Sequence, residues 1–429
     1  MIDDGTRVSD KRPEILLDAG YTYFGQLLSH DLTKDASSID EAWQKEPEEL
    51  HNLQTPKLDL HVLYGGGPDN SPELYDDDYV SLKLGSWNAV RRSFDICVAK
   101  NGDRLLADDR GAENMVLRQM TAVFARLHNF AVEQFRPHIR HGRSLFRKAQ
   151  SQTRRQFQYL VVYDYLQSVL DKQIYKKIFI EGDADIEWKS FSIPVEFSVA
   201  AMRFGHAMVR PSYLFSFGKE MFLPEFLGKT RDRGPLAGDQ EISWGLFFQG
   251  AGPEGTVTSR PIDTRLAPAF QHLPPDLIGT PEAKCPFARF AGHPSQLAVR
   301  TLLRGAGLRL PCGQLVARTC GQEPLTEREL TTNSIGDETE QGRMLREAGL
   351  CNETPLWYYI LKESEVRQNG NRLGPLGSHL VGETIHAALR ADMNSILNQP
   401  DDSPPVWTLP DRSIRIYGFP ELFRLAKSI

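Results

Sequence analysis

A chain of 429 residues, 40% of them hydrophobic, can bury one large core or two to three ordinary ones. Its charges nearly balance, 50 basic against 56 acidic, so nothing points to a nucleic acid or a membrane surface as partner. No apolar run approaches the roughly 20 residues that cross a bilayer. The opening MIDDGTRVSDKRPE lacks the apolar core of a signal peptide, and the five cysteines have no metal-like spacing, so a cytoplasmic, reducing setting is expected.

In chain order, residues 14–32 predict a helix through Ile15, Leu16, Ala19, Tyr23, Leu27 and Leu28. Gln26 and His30, four apart, share one of its faces. A capping or surface role for His30–Asp31 stands beside a functional one. Residues 34–57 read as loop, with a short helical piece at EAWQKEPEEL. Gly65–Gly67, Pro68 and Asn70 break any regular element and lack the spacing of a phosphate loop. Asp31, Thr55 and Asp59 are hard oxygen donors able to share Ca²⁺ if their loops meet, and are otherwise solvated.

SFDICVAKNGDRLLADD predicts a hairpin turning at Asn101–Gly102. A long helix follows over 112–136, with Val116, Met120, Val123, Phe124, Leu127, Ala131 and Phe135 inward. Asp108, Asp109 and Glu113 at its start suit the helix dipole, whereas Arg110 does not. A second long helix is expected over 149–171. Then comes VEFSVAAMRFGHAMVRP, residues 195–211, apolar most of the way round and therefore a buried helix. Arg203 and His206 share a face of it and need partners there. A hydrogen-bonded core histidine is the default reading of His206, with a ligand role beside it; Gly205 favours close approach of a flat group. Residues 212–260 are loop-rich. Two short helices within 294–321 are split at Gly305–Pro311, and helices are expected over 354–365 and 375–397. Strand patterns are few and no repeat is present. The expected architecture is one mainly α-helical domain over 1–429, with residues 1–13 and 400–429 as peripheral arms.

A Gln-x-x-x-His helix, a separate arginine at a helix start and a buried histidine on a third helix make a set suited to haem chemistry. With GQLLSHD, DDRGAE, RFGH and LLRG in that order, the chain resembles the animal-type haem peroxidases of the peroxidase–cyclooxygenase superfamily, from about residue 14 to about 395. TPLWYYILKESE and LGPLGSHLVGE are similar to stretches of bacterial members. The resemblance implies haem b as cofactor. It implies His30, with Gln26, as the distal acid–base group and Arg110 as the distal arginine. Glu113 becomes an ester link to a haem methyl, and His206 the iron ligand. Arg203 and Arg304 become propionate partners. It also implies calcium held by Asp31, Thr55, the Lys57 carbonyl and Asp59. Hydrogen peroxide and a small organic donor or halide are the implied substrates.

Four positions depart from the family pattern. Ser29 replaces an ester-forming aspartate, leaving one ester at most. Thr301 stands where an asparagine accepts the proximal N–H. His61 replaces an oxygen donor of the calcium loop. Asn114 rules out a methionine sulfonium link. Arg203, three residues before His206, stands where the fatty-acid dioxygenase branch carries a radical-forming tyrosine. Peroxidase activity is the leading expectation. A biosynthetic oxygenase or peroxygenase and a non-catalytic haem-binding member are the alternatives.

Overall fold

The computed structural model describes the chain except residues 1–15, 35–42, 44–51, 89–92, 186–190, 216–217, 230–233, 237–239 and 274–294. The N-terminal arm over 1–13 and all but Trp43 of the EAWQKEPEEL piece lie outside the described residues. The rest is mainly helical. Among the described residues, strands occur as three two-stranded antiparallel ribbons.

Helix α1 (Ala19–Leu32) carries the Gln26–His30 face and starts five residues later than its periodicity predicts. Backbone pairing explains the delay. The Ala19 N–H donates to the Val257 carbonyl (2.8 Å), and the Leu17 carbonyl accepts from Ser259 (2.7 Å). Those groups are therefore spent outside the helix. Ribbon β1–β2 (Leu84–Asn88 with Ser93–Ile96) follows. The expected 93–109 hairpin keeps its turn, with Gly102 at φ +86°, but closes only through a bridge between Val98 and Arg104. Its first strand pairs mainly with β1 instead.

Helix α2 (Met115–Phe135) is the central strut, packed on α1 and on α3 (Gly142–Leu160). Val116, Met120, Phe124, Leu127 and Ala131, at three- to four-residue intervals, are all buried on it. Asn114 starts α2: its side chain accepts the Leu117 N–H at 2.8 Å, a standard N-cap. Arg118 is buried beside these apolar residues because Asp95 meets it twice, at 2.8 and 2.6 Å. Helix α3 begins earlier than expected and runs into a wide π turn over Val161–Leu166.

The buried helix expected over 195–211 is not one helix. It is a π turn (Glu196–Ala200), a tight 3-10 turn (Ala201–Phe204) and a short α turn (Gly205–Met208). Ala200, at φ −123° and ψ −65°, is the break between the first two. Tertiary bonds take up the freed carbonyls: Trp357 Nε1 donates to Arg203 O at 3.2 Å, and Arg203 Nε to Ser198 O at 3.3 Å.

Ribbon β3–β4 (Ser212–Leu214 with Glu220–Phe222) leads into α4 (Leu223–Lys229). Helices α5 (Leu297–Gly307) and α6 (Gly313–Thr319) are split at 308–312, later than expected, with Gly305 inside α5. Helices α7 (Leu356–Gln368) and α8 (Pro375–Ala391) complete the bundle. Asn398 ends α8 early, donating to the carbonyls of Leu389, Arg390 and Asp392.

The C-terminal stretch is not a peripheral arm. Ribbon β5–β6 (Val406–Thr408 with Ser413–Arg415) buries Trp407, and α9 (Phe419–Ala426) buries Phe419 and Phe423. Aromatic rings there have partners only the folded chain supplies: Phe419 meets Phe24 at 4.5 Å, and Phe423 stacks on Trp244 at 3.8 Å.

Candidate active site

A cavity of about 310 Å³ lies between α1, the start of α2, the 196–208 segment, α4 and the start of α5. His30 and His206 both line it, brought together from positions far apart in sequence. Gln26, Ser29, Glu113, Asn114, Met202, Arg203, Gly205 and Arg300 share its wall, with Leu223, Phe226, Leu227, Phe270 and Leu273 forming an apolar side.

Burial sets the charge of both imidazoles. His30 is lowered to about 3, by burial first and by the nearby Arg110 charge second. His206 is lowered to about 3 by burial and then by Arg203. Each ring is therefore neutral at pH 7 and keeps a lone pair. The Nδ1 atoms of both are buried with no hydrogen-bond partner among the described residues. Gly205, beside His206, has nothing within 4 Å of where a Cβ would stand.

One side of the cavity is a hydrogen-bonded relay. Asn114 Nδ2 donates to Gln26 Oε1 at 2.7 Å, and Gln26 Nε2 donates to Glu113 Oε2 at 3.0 Å. The same Glu113 oxygen lies 3.6 Å from His30 Nε2. Asn114 thus caps α2 with its oxygen and orients Gln26 with its nitrogen. The sequence reading noted it only as a position that excludes a sulfonium link.

Arg110 does not line the cavity. Its guanidinium grips Asp108 through Nε (3.0 Å) and Nη2 (2.8 Å). It also donates to the carbonyls of Thr33 (2.8 Å) and His30 (3.2 Å). Asp108 is held well below the usual carboxylate range by these bonds, against the opposing effect of burial. The structure thus sets Arg110 behind His30, at the C-terminal end of α1.

On the other side, Arg203 lines the cavity, while Arg304 is buried in α5 outside it. Arg300, one turn earlier on α5, lines it instead. Sequence reasoning missed Arg300, although its four-residue spacing from Arg304 places both on neighbouring turns of one face. Thr301 Oγ1 donates to Leu297 O at 2.9 Å, so the hydroxyl expected to serve His206 is bonded within its own helix.

The proposed calcium donors gather in part. The Asp31 carboxylate is fully buried and accepts the N–H groups of Leu60 (2.9 Å) and Val62 (3.4 Å). Thr55 Oγ1 lies 3.4 Å from Asp59 Oδ2. Burial, then the charge of Asp59, pushes Asp31 up to about 8. A buried carboxylate beside a half-buried one fits a cation bound between them. The ring of His61, whose Nδ1 is buried without a partner, adds no hard oxygen to the set.

Comparison with known proteins points to one family. The family model described as animal haem peroxidase matches residues 29–225, a span holding both histidines. The peroxidasin homolog pxn-2 of Caenorhabditis elegans is 24% identical over 330 residues, 71% of this chain.

Residues 29–225 thus match the animal haem peroxidase family.

The chain spans about a quarter of the length of that curated relative, 24%. Its fold is similar to that of peroxidase A from Dictyostelium discoideum, with a TM-score of 0.59 and 16% identity, over 92% of this chain and 81% of the other. It is also similar to the fatty acid alpha-dioxygenase of Oryza sativa, with a TM-score of 0.63 and 14% identity, over 90% and 70%. The Arabidopsis thaliana fatty acid alpha-dioxygenase gives 0.60 and 13%, over 90% and 68%. A haem peroxidase fold is thereby common to enzymes of different activity. Among the described residues no helix is long and apolar enough to cross a membrane.

Proposed function

We propose that this chain acts as an animal-type haem peroxidase, binding haem b between His206 and His30 and using hydrogen peroxide to oxidise a small donor, organic or halide. The observation that carries the reading is that two neutral, buried imidazoles line one cavity, each with an orphaned Nδ1. Buried polar atoms without partners are costly, so a ligand in the cavity accounts for them. His206 would hold the iron, as a neutral imidazole does, and Arg203 and Arg300 are the cations on the wall suited to propionates. The open space beside Gly205 accommodates a flat ring system. Haem, when bound, supplies the redox chemistry of O–O cleavage.

The chain's own residues handle protons and position. His30, neutral at pH 7, takes a proton from peroxide at Nε2 and returns it to the leaving oxygen. Glu113, 3.6 Å from that nitrogen, stabilises the imidazolium formed meanwhile. Gln26, fixed by Asn114, keeps Glu113 in place. Arg110 acts as a positioning residue, holding the end of α1 through the His30 and Thr33 carbonyls. Since Ser29 offers no carboxylate, Glu113 is also the group available for a single haem ester, which would replace this charged role.

A second reading has its own observation. The wall formed by Leu223, Phe226, Leu227, Phe270 and Leu273 suits an apolar substrate, so the site would serve an oxygenase or peroxygenase. Labelled oxygen appearing in a product, rather than radical coupling of a phenol, identifies that activity.

The test is an absorption spectrum with peroxide-driven oxidation of a phenolic dye. A Soret band is expected, with loss on His206→Ala. His30→Ala is expected to keep haem and lose at least about 100-fold in turnover. Arg110→Ala is expected to lower thermal stability as well as turnover. Full turnover in His30→Ala overturns the assignment, and no haem uptake overturns the reading altogether.

A further inference from the structure

We infer that Asp185, His379 and Glu383 form a site for one divalent transition-metal ion, with Zn²⁺ as the working case, separate from the cavity. Their ligand atoms all lie within 4.8 Å of one another. His379 and Glu383 are four residues apart on α8, so one helix face presents an imidazole and a carboxylate side by side. Asp185 joins them from the segment that follows the turn Lys176–Ile180. The Asp185 N–H donates to Glu383 Oε2 at 2.9 Å, which fixes the two chain segments in register.

The chemistry of the donors favours a metal over a plain ion-pair cluster. His379 is 7% exposed and Glu383 is 0% exposed. The buried His379 ring offers a nitrogen for coordination. One nitrogen and two carboxylates compensate a divalent charge and match the borderline ions, whereas Ca²⁺ and Mg²⁺ prefer oxygen alone. With bonds of about 2.1 Å, tetrahedral donors stand roughly 3.4 Å apart, so the set must close by about an ångström. Asp185, whose side chain is 52% exposed, is free to make that movement.

Two neighbours refine the site. Lys177 Nζ lies 2.9 Å from Asp185 Oδ2 and 4.0 Å from Asp183 Oδ2, so its ammonium competes with a metal for the Asp185 carboxylate. Cys320 is not among the clustered donor groups, which leaves the fourth position to water. Helix α8 packs on Lys176–Ile180 and on the 196–204 stretch that leads to His206. A bound ion would therefore brace the chain where it approaches the cavity.

The experiment uses the full chain as purified, stripped with EDTA and re-equilibrated with Zn²⁺. Metal content by element-resolved mass spectrometry keeps zinc distinct from haem iron, and calorimetry gives the affinity. One Zn²⁺ per chain and a raised melting temperature are expected. His379→Asn and Glu383→Gln are each expected to weaken binding at least about tenfold, and Lys177→Met to tighten it severalfold. Asp185→Asn, at an exposed position, repeats the test should a buried variant fail to fold by circular dichroism. Failure of the wild type to retain Zn²⁺ overturns the site, as does equal retention by wild type and the folded variants.

Discussion

Burial decides charge at the level of single side chains, and charge decides what each group can do. His128 shows this away from the cavity. Its ring is fully buried, bonded to Val80 O at 2.9 Å and to the Tyr64 hydroxyl at 3.2 Å. Burial lowers it to about 4, although the Val80 bond opposes the shift. Between about pH 6.5 and 4 the unfolded chain binds a proton there that the folded chain refuses. Stability therefore falls on acidification through that window, by about 1.4 kcal/mol per pH unit for this one group. His128→Gln is expected to make the acid limb of a urea-midpoint-against-pH curve shallower by one proton. An unchanged limb would show that His128 protonates within the fold. Asp31 has the opposite shift, a carboxylate pushed up to about 8 by burial and by Asp59. Calcium would relieve that repulsion. Adding EGTA is expected to lower the wild-type melting temperature by several degrees and to leave Asp31→Asn unmoved. Identical melts with EGTA and with calcium in the wild type would remove calcium from the proposal.

The helices reveal what sequence can and cannot carry. Helix α2 was legible because Val116, Met120, Phe124, Leu127 and Ala131 repeat at the helical period and the structure buries all five. The His206 segment was legible as buried but not as broken. Its π, 3-10 and α turns depend on bonds from Trp357, far along the chain, and from the Arg203 side chain, which periodicity cannot register. Arg110 illustrates the same limit. Its place in DDRGAE was clear, yet its direction was set by Asp108 and by two carbonyls of α1. Gly205 turns this local geometry into a test. Its backbone is helical, with φ −55°, so alanine fits and stabilises the turn by about 0.5–1 kcal/mol. The added methyl enters space that the proposed haem occupies. Gly205→Ala is expected to melt at or above the wild-type temperature while taking up haem more weakly, read from Soret titration. Stronger or equal uptake would place the ring elsewhere in the cavity.

Across the whole molecule, the C-terminal residues reach back to the first helix described. Phe423 stacks on Trp244 at 3.8 Å and on Phe248 at 4.9 Å. Phe248 in turn sits where a Cβ on Gly20 would stand, at 2.2 Å, so it presses directly on α1. Residues 400–429 carry no long apolar period that would mark them as core. Periodicity in a short helix cannot reveal that its partner is 180 residues upstream. Phe423→Ala should therefore cost about 3–5 kcal/mol, since a fully buried ring leaves a cavity between elements that cannot collapse. The loss should loosen α1 and with it His30. Trp407→Ala is the control: Trp407 is equally buried, but its indole donates to Gln156 of α3 at 2.9 Å rather than leaning on the Phe248–α1 contact. Both variants are expected to lower the urea midpoint. Only Phe423→Ala should also speed haem loss at temperatures where each remains folded. Equal haem retention in the two variants would show that α1 keeps its place without the C-terminal helix.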